Sequence, residues 1–165
     1  MVHLSTLNMY PRQVFSAALL ATLLLALQPA QAQPSAADKA TIEACLEREG
    51  ASLGDKCIGL VADPCIAAAN GESDKAQACA ARELAVWQAE MAAALKRVRA
   101  GGFREIGRDT DQAQQAWTAS VNALCPALDR IDPGMLPGGA TYCRMHETAS
   151  RALMLRRLGE AVNEH

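Results

Sequence analysis

Six cysteines, Cys45, Cys57, Cys65, Cys79, Cys125 and Cys143, constrain this chain more than any other feature. Their number is even, none precedes position 45, and the chain opens with a segment suited to export. Residues 1–32 hold Arg12 as their one basic side chain, an apolar run over residues 14–27, and Ala30-Gln31-Ala32 as a small-x-small cleavage site. No acidic residue occurs before Asp38. This is the layout of a secretory signal peptide. An exported chain meets an oxidising compartment, so three disulfides are the default expectation. Zinc would need close ligand pairs such as Cys-x-x-Cys, and the tightest spacing is Cys57 to Cys65, so no metal site is expected. The same absence removes a thioredoxin-like redox motif and a haem attachment motif.

Spacing alone leaves fifteen connectivities open. The expected one runs in chain order: Cys125 with Cys143 and Cys65 with Cys79, with Cys45 and Cys57 left to each other. The first two bonds would close loops of about 15 to 20 residues, each worth roughly 3 kcal/mol in the chain-entropy model.

Removing the leader leaves residues 33–165 as a single domain and takes only Arg12 from the charged side chains, so a formal charge of −2 becomes −3. The apolar run of about 14 residues is too short for a permanent anchor, which needs roughly 20. The residues after the cleavage site are Gln33, Pro34 and Ser35, so no cysteine stands ready for lipid attachment. A soluble product without stable membrane insertion is expected.

The apolar pattern is helical throughout. Over residues 35–49, Ser35 with Asp38 resembles a capping box, Ile42, Cys45 and Leu46 share a face, and Gly50 supplies a stop. Residues 51–72 break into short pieces around Gly54, Gly59, Pro64 and Asn70-Gly71, and read as irregular with one or two helical turns. Ser73 is expected to cap the strongest helix, running to about Ala100, where Ala80, Leu84, Trp87, Met91, Leu95 and Val98 recur every three or four residues and Gly101-Gly102 ends it. A further helix is predicted from Asp109, with Ala113, Trp117, Val121, Leu124 and Cys125 on one face and Pro126 as its limit. Residues 129–140 hold Asp132-Pro133-Gly134 and Pro137-Gly138-Gly139 and read as a long loop. A last helix spans about 142–162, with Met145, Ala149, Ala152, Leu155 and Val162 inside. Runs of alternating Val, Ile and Thr are missing, so the fold class is all-α: a small bundle or hairpin of three to four helices stapled by disulfides. Alanine-rich helices approach closely but bury modest area, and the disulfides make up the deficit.

Catalytic constellations are weak. His3 leaves with the leader, and His146 and His165 have no nucleophile elbow to serve. Asp109 with Asp111, and Glu47 with Glu49, fit helix-start charges and a solvated face rather than a glycosidase acid and base. The glycine pairs lack the phosphate-loop pattern. Lys96, Arg97, Arg99, Arg104 and Arg108 cluster, but cations belong at a helix C-terminus, the chain is net acidic and Phe103 is the one interleaved aromatic, so nucleic acid is not an expected partner. Trp87 and Trp117 fall on inner stripes and read as core, with a partner-binding surface as the alternative. Neither an enzyme nor a cofactor is expected.

Cys57-Ile58-Gly59-Leu60, then Cys65, then Cys79 followed by Arg82-Glu83 and Trp87, resembles the N-terminal half of the LprI-type lysozyme-inhibitor family. The second half agrees: Ala113-Gln114 before Trp117, Cys125 eight residues later, Gly138-Gly139, then Cys143 with Thr148 and Arg151. The resemblance covers about residues 57–158. The family's aromatic-Arg pair after the second tryptophan is here Ser120 and Val121, and its Leu-Asn and Tyr positions hold Met91, Ala92 and Leu95.

The resemblance implies a helical, disulfide-bonded protein of the bacterial envelope, periplasmic or extracellular, that binds a lysozyme in some members. Its family-motif positions are Trp87, Gln114, Trp117, Thr148 and Arg151. Vertebrate lysozymes are generally cationic and cut glycan with two carboxylates in a cleft, so an acidic protein could be steered to them and block the cleft with a rigid loop. The local candidate is the stretch holding Asp129, Asp132 and Tyr142, pinned if Cys125 and Cys143 are bonded. The competing expectation is an envelope accessory domain that binds another protein without inhibiting lysozyme.

Overall fold

Helices account for every regular element in the computed structural model, which describes residues 34–132 and 134–164, with backbone alone for 51–53. Residues 1–33, which include the segment read as a leader, lie outside the described residues, as do Pro133 and His165. Five α-helices follow in order: α1 (Ala36–Leu53), α2 (Ala62–Ala68), α3 (Ser73–Ala100), α4 (Arg104–Ile131) and α5 (Gly139–Ala161), with a 3-10 turn at Gly54–Cys57. The fifth helix is α2, which lies in the stretch read as irregular with one or two helical turns. All of them fall within one compact unit, Ala32–His165. Among the described residues there is no strand, and no helix is long and apolar enough to cross a membrane.

The bundle is organised around α3 and α5, which run in the same direction. Gly138, just before α5, lies against Ala76 near the start of α3, and Gly159, near the end of α5, lies against Arg97 and Ala94 near the end of α3. A side chain at Gly159 would press on the Arg97 Cβ, so the glycine is what lets the two backbones close up. Ala80, Ala94, Ala149 and Ala152, all buried, keep the seam narrow. The thin core predicted from alanine content is thickened by Trp87, Ile42, Leu46, Met145 and Leu153, which close the junction of α1, α3 and α5. Burying each large side chain contributes about 1.5–3 kcal/mol. The helix α4 lies across the pair, anchored by Val121, Cys125 and Cys143 with Trp117 and Leu128 packed beside them. Disulfides join Cys45 to Cys57, Cys65 to Cys79 and Cys125 to Cys143.

Several boundaries differ from the sequence expectation, each for a physical reason. At α1, Ser35 Oγ accepts from the Asp38 amide at 3.0 Å, as a capping box requires, but the Asp38 carboxylate turns away to Arg82. Gly50, at φ +67°, breaks the helical geometry without ending the element, which resumes to Leu53. Glu72, not Ser73, occupies the N-cap of α3, and no side chain caps it. The helix α4 starts at Arg104, five residues before Asp109, because only Gly101 to Phe103 separate it from α3. It also passes through Pro126 to Ile131. The carbonyl that the proline ring deprives of an amide partner belongs to Asn122, an exposed residue, where solvation is cheap. Ala113 and Leu124, placed on the inner face by periodicity, are exposed, because α4 buries only a narrow stripe of Gly107, Thr110, Val121 and Cys125. The helix α5 begins at Gly139 rather than Tyr142. The loop predicted over 129–140 shrinks to residues 132–138, with Asp129 in α4 and Tyr142 in α5.

Candidate functional site

Glu83 is fully buried on α3 and holds the N-terminal half of the domain together. The first amides of α2 have no partner within the helix, and its N-cap residue, Val61, supplies no side-chain cap. Glu83 supplies it from across the fold. Its Oε2 accepts from the Val61 amide at 2.9 Å and the Ala62 amide at 2.7 Å. Its Oε1 accepts from the Gly59 amide at 2.7 Å and from Trp87 Nε1–H at 2.8 Å. Gly59 presents its amide from φ +90°, a left-handed conformation that glycine tolerates at little cost. A carboxylate at a helix N-terminus is also favoured by the helix dipole. The Cys65–Cys79 bond ties α2 to α3 beside it.

Two further polar contacts fix neighbouring elements. Arg82 grips the buried Asp38 with both forks, at 2.7 Å and 3.1 Å, which holds the Asp38 carboxyl below its ordinary value of 3.8. Tyr142 donates its hydroxyl to Asp63 at 3.0 Å, linking α5 to the first turn of α2. Burial, and then the Asp63 carboxylate, push that phenol up to about 12. Its ring also rests 5.2 Å from that of His146.

The five family-motif positions serve different places. Trp87 is core and bonded to Glu83. Gln114 and Arg151 meet across α4 and α5, where Arg151 Nε–H donates to Gln114 Oε1 at 2.9 Å and the carboxamide in turn donates to Met91 Sδ at 3.4 Å. Burial lowers the Arg151 pKa. Half-buried Trp117 and buried Thr148 line a groove of about 160 Å³ between α3, α4 and α5.

A second, larger feature lies at one end of the bundle. The α2 residues Ile66 and Ala67, the turn at Gly71 and Ser73, and the loop at Leu136 and Pro137 border a cleft of about 420 Å³. Around it the chain exposes apolar side chains: Ile131 is 77% exposed and Met135 52%. Asp132, also exposed, caps the C-terminus of α4 between them in sequence. Asp129 sets its carboxylate against Gly139, where a side chain would collide with it, so this acid steadies the loop's exit. Glu72, Asp74, Asp129 and Asp132 outnumber Lys75 and Arg130 at this end, and Lys75 is paired with Glu72 at 2.6 Å. Cys125–Cys143 bridges the two helices on either side of the loop.

The opposite end carries the basic run, of which Arg99 is paired with Asp111 and Arg108 with Asp109; on α5, Arg156 is paired with Glu90. Among the described residues no group of three His, Cys, Asp or Glu side chains is placed to hold a metal ion.

The model of the family described as Lysozyme inhibitor LprI matches residues 65–155, more than half of the chain. The chain belongs to the LprI family. No curated protein and no solved structure matches it. The LprI match runs from Cys65 in α2 to Leu155 in α5, so it takes in Glu83, all five motif positions and two of the three disulfides. The helix α1, the Cys45–Cys57 bond and the Gly59, Val61 and Ala62 amides that Glu83 receives fall outside it. Glu83 is the residue whose role escaped sequence reading. Its signal was present: one carboxylate on the stripe of Ala80, Leu84 and Trp87.

Proposed function

We propose that this LprI-family chain is an exported, noncatalytic binding protein whose loop end docks on a cationic lysozyme and covers its substrate cleft. Membership of a family described as lysozyme inhibitors supports lysozyme as the kind of partner. Three disulfides and a signal-peptide-like leader at residues 1–32 support a periplasmic or extracellular destination, with residues 33–165 as the exported domain. The observation that carries the docking surface is the exposure of Ile131 and Met135 on either side of Asp132. A bonded Cys125–Cys143 pair keeps that surface from paying a large ordering cost on binding. Excess carboxylate at this end is complementary to a cationic partner and speeds encounter more than it deepens affinity. Asp129, Asp132 and Tyr142 keep distinct roles: Asp132 faces the partner, while Asp129 and Tyr142 hold the loop's flanks.

Binding of the protein to immobilised lysozyme at low and high salt tests this reading. Ile131→Ser with Met135→Ser is expected to weaken binding by at least about tenfold, the scale of losing apolar anchors. Raising salt from 50 mM to 500 mM, illustrative conditions of roughly tenfold change in ionic strength, slows association of the wild type. Unchanged affinity in the double variant would reject the loop end. Absence of lysozyme binding alongside capture of an envelope protein would favour an accessory role instead.

A further inference from the structure

The groove between α3, α4 and α5 is not used by the loop-end reading, and its chemistry is distinct. Its wall is apolar, formed by Leu84 and Met91 from α3 and Val121 from α4. Its remaining lining includes hydrogen-bond donors: the Trp117 indole, the Arg144 guanidinium, and the Gln88 and Asn122 carboxamides. None of these four has a hydrogen-bond or ion-pair partner among the described residues. Their neighbours are spoken for, since Arg151, further along α5, is bonded to Gln114, and Arg156 is paired with Glu90. Arg144 is half-buried, and no Asp or Glu lines the groove with it.

A guanidinium and an indole N–H offer donors only. Facing a water-accessible apolar slot with no carboxylate of the protein's own, they match an acceptor that carries negative charge, and a planar carboxylate fits the guanidinium fork best. Size narrows the class. A volume of about 160 Å³ holds roughly five waters at about 30 Å³ each, which suits a short stem and one head group rather than a polymer. We propose that this groove is a binding site for a small organic carboxylate, its head on Arg144 and the Trp117 indole N–H and its apolar stem on Leu84, Met91 and Val121. The site is independent of the lysozyme reading, and either can fail alone.

The protein itself supplies the reporter. It has two tryptophans, and their indole N–H groups stand in opposite situations: Trp87 is buried and bonded to Glu83, Trp117 is half-buried and unbonded. The ¹⁵N-labelled protein is titrated with sodium hexanoate and, separately, with hexanamide as the uncharged counterpart. The Trp117 indole resonance is expected to move saturably with hexanoate while that of Trp87 stays in place. Hexanamide is expected to bind at least about tenfold more weakly, the difference expected for losing a charge-assisted bond. Arg144→Gln is expected to reduce hexanoate binding to the hexanamide level while leaving the rest of the spectrum unchanged. Arg130→Gln, at the loop end, is expected to leave hexanoate binding unaltered. An immobile Trp117 resonance, equal binding of the two probes, or equal effects of the two arginine variants would overturn the site.

Discussion

At position 83 the bundle accepts a charge in the place where helical periodicity alone would put a leucine. The carboxylate is tolerated because four donors converge on it, three backbone amides and one indole N–H, so its burial is matched by charge-assisted bonds. Glu83→Gln keeps the shape but turns an NH₂ toward donors, and is expected to cost about 3 kcal/mol or more in urea unfolding, since each lost bond to a charged group is worth roughly 1.5–3. Trp87→Phe, which removes one of the four bonds and keeps an aromatic ring, is expected to cost less. Sequence alone marked Glu83 as part of a motif but not as buried, because its partners lie 21 to 24 residues away and are backbone amides, which any residue type can present. The same holds for Tyr142, whose partner Asp63 lies 79 residues off. Its phenol is held neutral up to about 12, so the stability it contributes is complete below the ordinary value of 10.0 and is lost as pH rises from there through 12. Absorbance titration of the phenolate is expected to show this step, and Asp63→Asn is expected to bring it down toward 10. A midpoint already at 10 in the wild type would remove the contact.

Among the elements, the helices themselves were legible because their apolar stripes are long: Ala80 to Val98 in α3 and Met145 to Leu155 in α5 are buried or half-buried as the period requires. Boundaries were less legible. Pro126 is a strong local stop signal, yet α4 continues to Ile131, because the Cys125–Cys143 bond and the packing of Leu128 against it hold the following turn. A tertiary constraint of this kind leaves no local trace. The glycines ahead of α5 were read as turn devices, and Gly138 has a second duty. It sits at φ +84° with its Cα facing the Ala76 carbonyl, which an added Cβ would meet at 3.0 Å. Gly138→Ala therefore combines left-handed strain with a close backbone approach, and is expected to lower stability by about 1–3 kcal/mol. The parallel test on α2 is replacement of Cys65 and Cys79 by serine, which is expected to cost about 3 kcal/mol in unfolding free energy. The Glu83 contacts remain in that variant, so α2 is expected to stay helical at neutral pH.

On the scale of the whole molecule, charge is distributed unevenly. Carboxylates gather at the end formed by the loop at 132–138 and the turn before α3, while the other end carries the basic run, in which Arg99 and Arg108 are ion-paired. The buried Asp38 contributes to the response to low pH. Asp38 is held below its ordinary 3.8 by Arg82, so the stability it adds is present above that value and fades as pH falls through the lowered pKa. Arg82 is half-exposed, which keeps the contribution near 1 kcal/mol. Asp38→Asn is expected to flatten acid unfolding below about pH 4 while costing little more than that at neutral pH. The partner surface is where sequence was weakest: it placed Asp129, Asp132 and Tyr142 in one loop, and the fold divides them among two helices and a cap, leaving Ile131 and Met135 as the exposed apolar pair that periodicity had not singled out. The most direct test of the loop end as an inhibitory surface is the rate at which a cationic lysozyme clears a suspension of bacterial cell walls, with the oxidised protein in micromolar excess. The rate is expected to fall with the wild type and to recover when Ile131 and Met135 are both replaced by serine. Clearance at the uninhibited rate with the wild type, or equal inhibition by wild type and double variant, would contradict it.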